Sequence, residues 1–523
     1  MAVVQTIISE PRRWFRRLST QAKTSVIGLC VLILAAAGFG VYSIVPSSGE
    51  VPYCMNQGAT VVAHGGPNSE CIGVTDGSFV FDPILTSVEH DIKQENQRVT
   101  AAHPGSYVSV VMLLPISASA GSIMSDTNVL EQLRGAYTAQ YYANRDDVDG
   151  ITPYIQLLVG NDGYQANQER QAVTIIENAT PAQHIAAVTG IGVSLDTTLH
   201  AVGQLTSESV KMPVFGATIT SDDFDNVPDL IRVAPSNNDE ISVAVSYIQS
   251  LFTRAILVED ENIKDIYDST LVSEFQKFSD ATHTIVGREP YDTTYRDLTQ
   301  SAPAQQAEQT VENRISQMTT DICGAQPAAV LFAGRGSDLA ELVTDLGNRP
   351  CLNVPITIIS GDDVSNMPVT ASVRQGLASG VTLDYAGIAH PAEWTSGAGA
   401  AVTEGRQGFT TFNTTFQKLF SGISLTDGNS MTAYDATLLS VSAIRLTLMT
   451  QPTPKAVDGM LGTLQGAHTV LGASGPLSYV PDYSTSKTAS NPVGKAIPIL
   501  RVAPDGTINF VTLSWPEGEP SAF

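Results

Sequence analysis

A chain of 523 residues is longer than one compact core usually organises, so two lobes or domains are expected. The formal net charge is −24, and residues 1–24 carry +4 of their own (Arg12, Arg13, Arg16, Arg17 and Lys23 against Glu10), which leaves −28 on the rest. So acidic a body lacks the basic footprint that phosphate backbones require, and nucleic acid is excluded as a partner.

Val26 to Val45 (VIGLCVLILAAAGFGVYSIV) holds no charged residue and is long enough to cross a bilayer as a helix. With the basic residues only on its N-terminal side, residues 1–24 are expected as a short cytoplasmic tail and 25–46 as a transmembrane signal anchor. The body is then extracytoplasmic, on a single-pass protein of the cell membrane. A cleaved signal peptide is the rival, with Ala35-Ala36-Ala37 as its cleavage region; the lack of a convincing small-x-small site before a polar start favours the anchor. Four of the five cysteines fall in the exported part. The local pairing, Cys54–Cys71 and Cys323–Cys351, keeps each bridge within one structural unit and is the one expected, with free buried thiols as the alternative.

Residues 47–106 read as a membrane-proximal extracytoplasmic segment. Asp82-Pro83 signals a helix start, and Leu85, Val88, Ile92 and Val99 recur at helical spacing to about Thr100. From Tyr107 onward strands and helices alternate. YVSVVMLLP (107–115) suits a buried parallel strand and is followed by a helix over Val129–Asn144, a strand over Tyr154–Val159 and a helix over Asn167–Asn178. A second run begins at RAILVED (254–260), with helices expected at 269–278, 307–318 and 338–346 and strands at 283–286, 328–334 and 355–361. This alternation predicts an α/β fold with two parallel βα sheets and a cleft between two lobes. Helices over 408–420 and 431–450 and strands near 497–502 and 508–513 close the chain.

Between the runs lies Ile185–Ser221, which reads strand, small-residue turn, helix, strand and a second small-residue turn. Gly190-Ile191-Gly192-Val193-Ser194 and Gly216-Ala217-Thr218-Ile219-Thr220-Ser221 bring hydroxyls and backbone N–H groups to the ends of neighbouring strands, where a small anion can dock. Helix capping is the plainer role for Ser194, Thr197 and Thr198. No G-x-S-x-G, H-E-x-x-H, P-loop or dinucleotide fingerprint is present, and the 8 histidines lack metal-ligand spacing. An enzyme, a metal site and a cofactor are therefore not expected.

The order of segments resembles the type I periplasmic binding proteins, particularly the branched-chain amino acid receptors of ABC transporters, a fold that also forms the ligand-binding region of cell-surface receptors. The likeness spans about Tyr107 to Leu513. It rests on LEQLRGAYTAQYYAN, IQLLVGNDG, VTGIGVS, VFGATITS, IRVAPSNNDE, ILVEDENIKDIYDSTL, VLFAGRGSDLAELV, IISGDDVSN, MTAYDATLLSVSAIR and GASGPLSY, each weak alone but all in the right order. It implies a first lobe of 107–234 plus 385–468 and a second of 235–384 plus 469–523. It further implies that Ser194, Ala217, Thr218 and Thr220 meet a ligand carboxylate, that Asp363 or the adjacent Asp362 meets its ammonium, and that Tyr267 lines the second-lobe wall. The chain departs from that group at Arg335, where the receptors carry an aromatic. A guanidinium there would recruit an acidic ligand, or would pair with Asp338 or another nearby acid. The implied function is binding of an amino-acid-like solute, with an ABC permease as partner for uptake or a membrane signalling partner for sensing.

Overall fold

The computed structural model describes Cys54, Val62–Gly65 and residues 70–520 other than 118–121, 226, 298–301, 327, 396–399, 483–486 and 489. The expected tail and anchor, 1–24 and 25–46, lie outside the described residues. Among the described residues no helix is long and apolar enough to cross a membrane.

Two seven-stranded sheets form the body. The first contains β1 (Val62–Gly65), β2 (Glu70–Thr75), β3 (Tyr107–Leu114), β4 (Tyr154–Asn161), β5 (Ile185–Gly190), β6 (Val214–Gly216) and β7 (Leu230–Arg232), in the order β1-β2-β4-β3-β5-β6-β7. The second contains β8 (Arg254–Asp260), β9 (Thr284–Tyr291), β10 (Ala329–Ala333), β11 (Ile356–Ser360), β12 (Val381–Ala386), β13 (Ile497–Val502) and β14 (Ile508–Ser514), in the order β14-β13-β12-β11-β10-β8-β9. The central strands are parallel, and antiparallel pairs occur only at edges: β1–β2 and β2–β4 in the first sheet, β12–β13 and β13–β14 in the second. Strands covered on both faces need apolar residues at every position, which is why β3 reads as a continuous run. Its even-numbered residues Val110, Met112 and Leu114 enter one core with Leu133 and Tyr434, whereas Val111 and Leu113 enter another with Ile176 and Val202.

Seven helices bear on the site: α1 (Thr86–Ala102), α2 (Asp126–Ala143), α3 (Asp196–Leu205), α4 (Asn237–Gln249), α5 (Ile266–Phe275), α6 (Gly336–Leu346) and α7 (Asn429–Leu446). Helix α2 begins three residues ahead of the sequence expectation because the Ser125 side chain accepts the Asn128 N–H at 3.2 Å. Ser125→Ala should lower the unfolding free energy by about 1 kcal/mol, read from urea denaturation. Elsewhere the helix expected over 307–318 extends over Ala302–Ala325, and the strand expected at 283–286 over Thr284–Tyr291.

Both expected disulfides are formed, with Cα–Cα separations of 5.6 Å for Cys54–Cys71 and 5.7 Å for Cys323–Cys351. The expected lobe boundaries need two corrections. The described part of 47–106 is built into the first lobe: β2 pairs with β4, and Leu85, Val88 and Ile92 of α1 and the turn before it fill the first core. Val470, Ala473, Leu477 and Tyr479 also fill that core, so the second lobe takes β13 and β14 rather than everything after 468. The 470–496 stretch has too few apolar residues in any fixed period to show which core they enter.

Three strands of chain therefore cross between the lobes, after β7, after β12 and before β13. The buried Arg232 ties the first to the third. Its N–H donates to Ser490 O at 2.8 Å, its Nε to Asn491 Oδ1 at 2.8 Å, and its carbonyl accepts the Tyr479 hydroxyl at 2.6 Å. The second and third meet where Gly387 N–H donates to Pro498 O at 2.9 Å.

Candidate functional site

The turns after β5 and β6 in the first lobe face the turns after β10 and β11 in the second, as parallel sheets place ligand clefts beyond their strand C-termini. One cleft is lined by Ser194, Thr218, Thr220, Tyr267, Arg335, Asp362 and Asp363, together with Met124, Gly192, Val193, Ser365, Asn366, Ile388 and Asn429. Seven of the eight sequence-expected residues thus meet there. Ala217 does not: it is fully buried in the first core, and its N–H donates to Gly190 O at 2.8 Å.

In the first lobe the cradle is closed on itself. Ser194 Oγ accepts the N–H of Thr220 at 2.9 Å and of Ser221 at 3.2 Å, so it ties the second turn down instead of capping α3. Thr218 donates its hydroxyl to Gly192 O at 2.6 Å. In the second lobe Arg335 is held by a bidentate pair with Asp265, Nε–Oδ2 2.8 Å and Nη2–Oδ1 2.7 Å, and by Asp363 at 3.3 Å. Its guanidinium lies over the Tyr267 ring, 4.5 Å from the centroid. Four of its five N–H groups are engaged once the bond across the cleft, Nη2 to Ser194 O at 2.8 Å, is included. Asp338 is not its partner; that carboxylate pairs with Arg296 at 2.6 Å. Asp363 accepts in addition from Gly336 N at 2.7 Å, capping α6, and from Asn366 Nδ2 at 2.8 Å.

Further contacts join the lobes across the cleft. Thr220 donates to Asp362 Oδ1 at 3.2 Å, Ser221 Oγ donates to Ile266 O at 3.0 Å, and the Asn128 amide donates to Asn366 Oδ1. The cavity left between them encloses about 20 Å³, room for little more than a water molecule.

The site is rich in acid. Burial, then Asp363 beside it, pushes the Asp362 carboxyl up to about 7. Behind it Glu240 of α4 is held well above the carboxylate range by burial and then by Asp362, and Asp268 of α5 by burial and then by Asp265. Burial would lower the Arg335 guanidinium, but Asp265 and Asp363 override it and hold it firmly charged. A carboxyl whose folded pKa lies above its unfolded value stabilises fully below the unfolded pKa and loses that contribution as pH rises through the folded one. Stability should therefore fall from about pH 4 to about pH 7, and Asp362→Asn should flatten that slope in thermal melts across the range.

Sequence reasoning missed Asp265, Asp268, Glu240, Asn366 and Asn429. Asp265 had a signal: it is the N-cap of α5, its side chain accepting from Tyr267 N and Asp268 N. The others carry none that a local pattern would show.

This arrangement of two parallel sheets, three crossings and one interlobe cleft is the type I periplasmic-binding-protein fold. It is shared with a substrate-binding protein of an ABC transporter from Desulfitobacterium hafniense in complex with Leu (TM-score 0.54, 16% identity, 77% of this chain and 100% of that one). LivJ, the branched-chain amino acid transporter substrate-binding protein of Streptococcus pneumoniae, in complex with isoleucine, matches at TM-score 0.53 and 14% identity over 77% of this chain and 99% of its own. A solute-binding protein from Rhodopseudomonas palustris BisB5 in complex with 3,4-dihydroxybenzoic acid matches at 0.54 and 13% over 79% and 98%. No family model and no curated protein matches the chain.

Proposed function

We propose that this chain is a membrane-anchored extracytoplasmic solute-binding protein that closes its lobes on a small polar ligand, an amino acid or a derivative, for ABC-type uptake. The observation that carries this reading is the meeting of four second-lobe side chains, Tyr267, Arg335, Asp362 and Asp363, with Ser194, Thr218 and Thr220 in one cleft. The solved structures that share the fold support this class, since they are binding proteins. The closed cleft has no room for an amino acid, so uptake of solute requires the lobes to separate about the three crossings. A permease would then read the lobe faces that approach on closure, and residues 25–46 would keep the body beside it.

Thermal shift of the full chain in mild detergent against amino acids, amines and sugars tests the reading. A ligand at 100 times its Kd should add about 2.7 kcal/mol of apparent stability. No shift with any small solute at millimolar concentration would defeat it.

A further inference from the structure

Resting on that reading, we infer that the solute is a small amine recognised without a carboxylate, and that Asp362 is its counter-ion. The inference follows from which bonds survive when the lobes part. The bonds of Ser194 Oγ to Thr220 N and Ser221 N, and of Thr218 to Gly192 O, lie wholly within the first lobe. Opening leaves them in place, so the Thr220 and Ser221 N–H groups and the Thr218 hydroxyl, all placed to receive a carboxylate, stay occupied. The pairs of Arg335 with Asp265 and Asp363 lie wholly within the second lobe and also persist.

Each bond that opening breaks releases one acceptor and one donor, so charge decides which end of a ligand the cleft prefers. The Ser194 carbonyl loses Arg335, and Asp362 Oδ1 loses Thr220. Against them, opening frees the Thr220 hydroxyl and one N–H of Arg335, whose charge two carboxylates already offset. Around Asp362 stand Asp363 on its own turn, Glu240 from α4, Tyr267 from α5 and Arg335 at the start of α6. Arg335 is the cation beside it, and its salt bridges go to Asp265 and Asp363, so among the described residues Asp362 has no charge partner of its own. A cation entering the cleft supplies one in a charge-assisted pair.

Asn429, at the start of α7, lines the same cleft while only 4% exposed, and its side chain stands beside the Asp427 carboxylate. Together these groups fit a short amine held by Asp362 and the Ser194 carbonyl.

Isothermal calorimetry on the full chain with putrescine, propylamine, leucine, glutamate and succinate separates the outcomes. Binding of an amine in preference to leucine, glutamate and succinate is expected. Asp362→Asn should weaken it roughly 10- to 100-fold, with Asp362→Glu recovering part of the loss. In wild type near pH 6, titrations in buffers of different ionisation enthalpy should show proton release, because the Asp362 carboxyl ionises as the amine docks. Binding of leucine, glutamate or succinate but not of the amines overturns the inference and leaves the solute-binding reading standing. Amine binding with unchanged affinity in Asp362→Asn, or without proton release, also overturns it. No binding of any probe defeats both.

Discussion

Arg335→Ala is expected to lower the unfolding free energy by about 3–5 kcal/mol, because it strands two buried carboxylates that were paired to the same guanidinium. Asp265 and Asp363 each expose only 6% or less of their side chains, so water does not replace the lost partner. Part of the cost is relieved by protonation of Asp363, whose carboxyl burial already pushes up, so the loss should be larger at pH 8 than at pH 5. Urea denaturation of Arg335→Ala, Asp265→Asn and the double variant checks this. The double variant should be more stable than the sum of the two single losses predicts, since the second change removes a charge the first left unpaired. If the losses simply add, Arg335 and Asp265 are not energetically a pair.

Arg445→Met should be destabilising by at least about 3 kcal/mol, although this residue is remote from the cleft. Arg445 sits in the last turn of α7 and has no carboxylate bonded to it. Its guanidinium instead donates to the carbonyls of Ala143 at 2.8 Å, Val148 at 3.2 Å, Gly150 at 2.8 Å and Ile151 at 2.9 Å, with Pro153 at 3.4 Å. One side chain thereby gathers the end of α2 and the whole connection into β4. Burial pushes its pKa down to about 10, against the weaker pull of Asp147 and Asp149. Methionine keeps much of the apolar stem but supplies no donor, so the inward carbonyls lose their partners. Equilibrium unfolding gives the magnitude. Faster amide hydrogen exchange confined to 143–153 would show that the loss acts through this connection.

The closed cleft gives the Arg335 pair a functional side. The lobes meet through Arg335–Ser194, Thr220–Asp362 and Asn128–Asn366, so the protein holds its closed form by its own contacts. Under the proposed function, a solute must offer more than these bonds to be retained.

The fold was legible because its signals are local. Short uniform apolar runs such as 107–114 and 329–333 read as strands covered on both faces, and helical spacing between them leaves few topologies besides parallel βα units. The same locality explains the errors. The stretch 470–496 enters the first lobe through five buried apolar residues that no period reveals, and β2 joins the first sheet by an antiparallel edge pairing that nothing in its own six residues specifies.

For the site, the sequence alone determined where its turns would stand in the chain of strands and helices. Glycine and hydroxyl residues after β5 and β6, and paired aspartates after β11, stand at strand C-termini whatever their neighbours do. Only the tertiary structure decided what those groups are bonded to. Arg335 finds Asp265 70 positions away and Ser194 141 positions away, and Ser194 turns its hydroxyl to a turn 26 positions on. A charge pattern along the chain shows that Arg335 can attract an acid. It cannot show that the protein's own acids have already taken it, because that depends on which carboxylates the two sheets carry into the same dry space, and on the Coulomb energy there being too large to leave any of them unpaired.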